Sequence, residues 1–233
     1  MTKRIIVALD FDSEKRTMEL LDNLDPESCR VKIGKELFTA CGPELLKAIS
    51  RRGFDVFLDL KYHDIPSTVA KAVKVAAEMG VWMLNVHASG GLAMMEQARE
   101  GLEGLAGDRP LLIGVTVLTS LAQEDLLQVG IDVTPEEQVS RLAFLCREAN
   151  LDGVVCSAAE THLLRAQLPA DFCLVTPGIR RPEDPSGDQK RIVGPAEAIK
   201  AGSNYLVVGR PITQAESPRV ALEEFNSAVT SVN

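Results

Sequence analysis

Eight short apolar runs recur along the 233-residue chain, with amphipathic stretches between them. The runs are RIIVAL, CRVKIG, DVFLDL, WMLNVH, LLIGVTVL, DGVVCS, CLVTPG and YLVVG. Most are rich in Val, Ile and Leu, the composition of parallel strands covered on both faces. Segments such as PELLKAISRRG, STVAKAVKVAAEMG, GLAMMEQAREGL and EEQVSRLAFLCREAN carry helical periodicity. Gly53, Gly80 and Gly202 follow helical patterns, where a glycine is favoured just past the C-terminus. The last helix is expected from Pro218 to about Thr230. Eight β-then-α units in this length predict an α/β protein with a single (β/α)8 TIM-barrel domain over residues 1–233. A doubly wound sheet is the alternative. It usually carries a glycine-rich first turn, and VALDFDSEK has no glycine.

Bulk properties narrow the partners. Apolar residues make up 45% and charged residues 25%, an ordinary globular balance. A formal net charge of −8 argues against nonspecific binding to nucleic acid or to an anionic membrane, and leaves a local basic pocket for a small phosphate open. The run LLIGVTVL is too short to span a bilayer. Asp10 interrupts the first apolar stretch too early for a signal peptide. Five cysteines, an odd number without a CxxC pair, suggest neither a zinc site nor a disulfide framework. They are expected to be small buried hydrophobes in a reduced, cytoplasmic setting.

In a (β/α)8 barrel the chemistry sits at the C-terminal ends of the strands. Strand one ends at Asp10. Strand two carries Lys32. Strand three carries Asp59 and Lys61 and runs on to Asp64. Strand four ends near Asn85 and His87, and strand five at Thr119 and Ser120. Strand seven leads to Arg180 and strand eight to Gly209 and Arg210. Opposite charges therefore converge on one rim.

The stretch DLKYHDIPST, residues 59–68, is the densest part of that rim. Residues two apart on a strand share a face, so Asp59 and Lys61 are expected to point to the barrel axis while Leu58 and Leu60 pack on the helices. A buried ion pair that merely filled the barrel would add little net stability. Lys32 would extend the pair into a network of alternating charge. Periodicity does not place Asp64. A carboxylate ~4 Å from an ammonium favours the charged form by about 4 kcal/mol at an effective dielectric of 20. Lys61 is therefore expected to be a proton donor or fixed positive charge, not the neutral amine a Schiff base requires. Gly178, Gly209 and Arg210, with Arg180 nearby, fit the phosphate site that recurs after strands seven and eight.

With these residues placed, the chain resembles the orotidine 5′-phosphate decarboxylase family, bacterial type. VALDF, CRVKIGKELFT, FLDLKYHDIPST, GVWMLNVHASGG, LLIGVTVLTS, DGVVCSA, VTPGIR and YLVVGRPIT carry the resemblance over nearly the whole length. It implies decarboxylation of orotidine 5′-monophosphate to uridine 5′-monophosphate and CO2, the last step of de novo pyrimidine synthesis. It also implies no metal or organic cofactor, and a homodimer with active sites at the interface. Lys61 would be the general acid that protonates C6. Lys32, Asp59 and Asp64 would complete the charged array, Asp64 reaching the neighbouring subunit's site. Asp10, Lys32 and Thr68 would hold the ribose, and Ile65 would contact the substrate. Thr119, with Ser120 beside it, would meet the pyrimidine. Gln189 would lie over base and phosphate. Gly209 and Arg210 would bind the phosphate, with Arg180 in the same shell. Ser67 and Arg181 depart from the family's commoner spelling.

Three rivals stand beside this reading: a magnesium-dependent sugar-phosphate decarboxylase or synthase, a Schiff-base aldolase, and a nucleotide-binding protein without catalysis. The magnesium enzymes hold their metal with a carboxylate after strand two, where this chain has Lys32. His63 is expected to pack beside the motif and His162 to lie on a helix surface; His87 is read as structural, with a place in the site floor as the alternative. Met94 and Met95 are expected to pack the fourth helix.

Overall fold

The computed structural model describes residues 3–181, 184 and 193–232. Each apolar run forms a strand: β1 Ile5–Ala8, β2 Arg30–Gly34, β3 Val56–Tyr62, β4 Met83–His87, β5 Leu111–Val115, β6 Gly153–Val155, β7 Cys173–Pro177 and β8 Tyr205–Val208. Every strand pairs in parallel with the next in sequence, and β8 closes on β1. The expected (β/α)8 barrel is thus the observed fold.

Strand alternation divides the apolar side chains into two cores. Ile5, Val7, Ile33, Leu58, Leu84 and Val86 face outward into the layer shared with the helices. Ile6, Phe57, Met83, Ile113, Val175 and Val207 fill the barrel interior. Leu58 is fully buried in the outer layer and Leu60 packs against it, as the alternation predicts.

Local signals fix the helix ends. The helix Pro66–Glu78 begins with proline, whose missing N–H has no partner to lose in a first turn. It is followed by Gly80 at φ 78°, a left-handed conformation that glycine adopts without steric cost. The final helix, Pro218–Thr230, has the predicted bounds.

The barrel floor, opposite the strand C-termini, is closed by stacked side chains. The Arg30 guanidinium lies 4.1 Å from the centre of the Trp82 ring, and Tyr205 meets Trp82 edge-on at 5.1 Å. Cation–π contact and edge-to-face packing hold these side chains together at this end.

All five cysteines are free, and four are buried. Burial pushes the thiols of Cys29, Cys146, Cys156 and Cys173 up to about 12, so they behave as small hydrophobes rather than nucleophiles. Cys146 fills the space left by Gly114, where an added Cβ would stand 2.2 Å from its sulfur.

Candidate active site

A chain of alternating charge crosses the barrel mouth. Lys32 Nζ lies 3.2 Å from Asp10 Oδ1 and 3.3 Å from Asp59 Oδ2. Lys61 Nζ lies 2.6 Å from Asp59 Oδ1. The side chains of Lys32 and Asp59 are only 11% and 12% exposed, whereas Asp10 is 64% exposed. Water therefore screens the outer end of the chain far more than the inner one.

The burial makes each charge depend on its neighbours. Desolvation by itself would push Asp59 up. The ammonium groups of Lys32 and Lys61, with hydrogen bonds from Lys61 and Asn85, overcome it and hold the carboxyl below its ordinary 3.8. Desolvation would likewise lower Lys32, and the carboxylates of Asp59 and Asp10 leave it above its ordinary 10.5. Both groups are thus charged across the neutral range.

Asp59 and Lys61 meet as expected, but simple strand alternation is not the reason. The pairing of β3 with β4 passes from Leu58–Leu84 to Tyr62–Val86, four residue steps on one strand against two on the other. This bulge places Lys61 at φ 53°, one of two non-glycine residues with positive φ among the described residues. Such a conformation costs on the order of 1–3 kcal/mol and persists only where the surroundings enforce it. Asn85, wholly buried on β4, supplies that enforcement. Its Oδ1 accepts the Lys61 backbone N–H at 2.8 Å, and its Nδ2 donates to Asp59 Oδ1 at 2.7 Å. Asn85 was visible in the sequence only as one polar residue within WMLNVH, at the inward parity of Met83 and His87. The bulge that gives it two partners left no comparable mark.

Above the charge chain lies a cavity of about 320 Å3. Asp10, Lys32, Asp59 and Lys61 line one side of it. Thr119, Gly178, Arg180, Gly209 and Arg210 line the other. The space is in the range of small-molecule sites. Gly178 has φ 79°, which only glycine adopts freely. A Cβ on Gly209 would stand 3.7 Å from Ala8 and 3.9 Å from Asp10, so the absent side chain leaves room for a ligand to approach the backbone. Arg180 is buried, its guanidinium donating to the Ile179 carbonyl at 3.0 Å. Arg210 opens the short helix Arg210–Thr213 on the exposed side.

Other predicted residues lie outside this cavity. Asp64, Ile65 and Thr68 are exposed, and Asp64 Oδ1 accepts the N–H of Ile65 at 2.7 Å. Ser120 is exposed beyond Thr119. Gln189 lies outside the described residues. Arg181 turns toward the final helix, pairing with Glu224, stacking 5.1 Å from the Phe225 ring and bonding Asp184 at 2.9 Å. His63 and His87 form a tilted ring pair 5.5 Å apart, and neither lines the cavity. Burial, followed by the neighbouring His63, Lys35 and Lys61, holds His87 below its ordinary 6.5. His162 is exposed on its helix, while Met94 and Met95 are buried. Among the described residues no three His, Cys, Asp or Glu side chains cluster as a metal site would need. No described helix is long and apolar enough to cross a membrane.

The closed barrel and the buried charge chain at its C-terminal mouth define the class, a single-domain (β/α)8-barrel enzyme. Known proteins narrow that class. The profile of the Orotidine 5′-phosphate decarboxylase / HUMPS family matches residues 3–225. Orotidine 5′-phosphate decarboxylase of Aliivibrio fischeri strain MJ11 is 59% identical over 230 residues, covering 99% of this chain and 98% of its own. That of Saccharophagus degradans is 60% identical over 222 residues, covering 95% and 93%. The crystal structure of orotidine 5′-phosphate decarboxylase from Lactobacillus acidophilus superposes with a TM-score of 0.88 at 39% identity, covering 97% of this chain and 99% of that one. The chain belongs to the orotidine 5′-phosphate decarboxylase family.

Proposed function

We infer that the chain is a carboxy-lyase that converts orotidine 5′-monophosphate to uridine 5′-monophosphate and CO2, the last step of UMP biosynthesis. The observation that carries this reading is the Asp10–Lys32–Asp59–Lys61 chain, which delivers an ammonium group to the cavity. Breaking the bond from C6 to the carboxylate leaves its electron pair on C6, and the ring delocalises that pair poorly. Lys61 stabilises the charge as it forms and then transfers a proton to C6; solvent reprotonates the amine. Asp59 orients the ammonium, and its charge also opposes the substrate carboxylate in the ground state.

No single contact suffices for such a barrier. Rate enhancements of about 10^17 correspond to about 23 kcal/mol, whereas one well-placed electrostatic donor contributes about 3–4 kcal/mol. Binding energy from the far end of the nucleotide supplies part of the remainder. In this reading Gly209 and Arg210 hold the phosphate with Arg180 near them, Thr119 meets the pyrimidine, and Asp10 and Lys32 hold the ribose. The working unit is a cytoplasmic homodimer in which Asp64 extends to the neighbouring site, while Thr68 joins Asp10 and Lys32 at the ribose and Ile65 contacts the substrate.

Lys32 also weighs against the magnesium-dependent alternative. Its ammonium stands between two carboxylates where a divalent cation would meet like charge. The test is to follow orotidylate absorbance with purified protein in EDTA. A fall yielding uridylate and CO2 in equal amounts is expected. No fall sinks the reading, and a fall that requires added magnesium transfers it to the metal-dependent alternative.

A further inference from the structure

Asn85 is fully buried on the inner face of β4, where an apolar residue of similar volume would pack without needing partners. A buried amide is costly unless its polar atoms are bonded, and here both ends are. The orientation of the amide is forced. The Lys61 backbone N–H can only donate, and the Asp59 carboxylate can only accept. The same Asp59 oxygen also receives Lys61 Nζ at 2.6 Å. One side chain therefore grips the start of Lys61 at its backbone and the carboxylate on which the far end of Lys61 rests.

We propose that Asn85 is a positioning residue that holds the Lys61 ammonium in place for protonation of C6. The inference deepens the decarboxylase reading and rests on it. The left-handed bulge has no ladder register of its own at Lys61. Without the amide, the backbone of Lys61 and the carboxylate of Asp59 would be free to shift independently. Displacement of a catalytic group by ~1 Å costs about 100-fold in rate.

Asn85→Leu removes both hydrogen bonds and keeps the branched shape, with two methyl groups in place of the amide oxygen and nitrogen. We expect kcat to fall about 100-fold with KM changed by less than about threefold, because the phosphate end of the cavity is untouched. Asn85→Asp provides a readout that packing alone would not move. At neutral pH its carboxylate faces Asp59, with Lys61 beside it and Lys32 beyond. Once that carboxylate pair shares a proton, the new O–H donates to Asp59 while its carbonyl still accepts the Lys61 N–H. The rate of N85D relative to the parent should therefore rise as pH falls. A folded N85L with kcat within about threefold of the parent overturns the proposal, as does a pH-independent N85D ratio. Amide hydrogen exchange on the unaltered protein is independent of how either variant folds. The Lys61 N–H should exchange as slowly as the β4 ladder, and loop-like exchange overturns the proposal. A parent that fails to turn over orotidylate sinks the decarboxylase reading instead, an outcome separate from any result on Asn85.

Discussion

Lys61 Nζ stands 2.6 Å from Asp59 Oδ1 across a bulge in β3, with Lys61 in the left-handed region at φ 53°. The contact joins a strained backbone to a buried carboxylate that Lys32 holds from its other oxygen. Removing any one member therefore has a consequence specific to its place.

Lys61→Ala should lower kcat by at least about 1,000-fold, since it deletes both a general acid and a fixed charge. Asp59 keeps Lys32 and Asn85 as partners, so the barrel should remain folded. Initial rates and a thermal melt check both halves. Turnover near that of the parent would remove the acid assignment.

Arg210→Ala should separate the nucleotide from the nucleoside. A charge-assisted hydrogen bond contributes about 1.5–3 kcal/mol, so kcat/KM on orotidine 5′-monophosphate should drop roughly 10- to 150-fold. On phosphate-free orotidine it should barely change. Equal losses on both substrates would contradict the phosphate assignment.

The pH dependence follows from the directions of two shifts. Asp59 is depressed, so its stabilisation is present above its ordinary 3.8 and is lost as pH falls through the lower folded value. Lys32 is raised, so its stabilisation is complete below its ordinary 10.5 and is lost as pH rises through the higher folded value. Stability should accordingly show no ionisation of either group between these limits. A step near neutrality that disappears in Asp59→Asn would show the charge chain to be mis-assigned.

Subunit mixing tests the shared site. In a heterodimer of Lys61→Ala and Asp64→Ala chains, one site carries both defects and the other carries neither. Random reassortment should restore about a quarter of the parent activity, because half the dimers are mixed and each has one intact site. Recovery indistinguishable from the sum of the separate variants would place Asp64 in its own subunit's site or outside catalysis.

Gly114→Ala should destabilise the barrel by about 1–3 kcal/mol, since its Cβ would stand 2.2 Å from the Cys146 sulfur. Cys146→Ala in the same chain should recover part of that loss. Urea unfolding of the two single variants and the double variant measures the coupling, and additive effects would refute the contact.

The barrel is legible in the linear pattern, because eight apolar runs with intervening helical periods admit few other ways to bury both faces of a parallel sheet. That pattern also marked Asp10, Lys32, Asp59, Lys61 and Arg210 as rim residues, since the C-terminal ends of barrel strands and the loops after them share one mouth. How those charges meet depends on the folded register of the strands. Parity predicted a regular strand through Lys61, whereas a register shift against β4 places it. Asn85 acquires its role from a neighbour 24 residues away in sequence. A hydrogen bond of that kind depends on the distance between two strands after closure, and linear spacing carries no record of it.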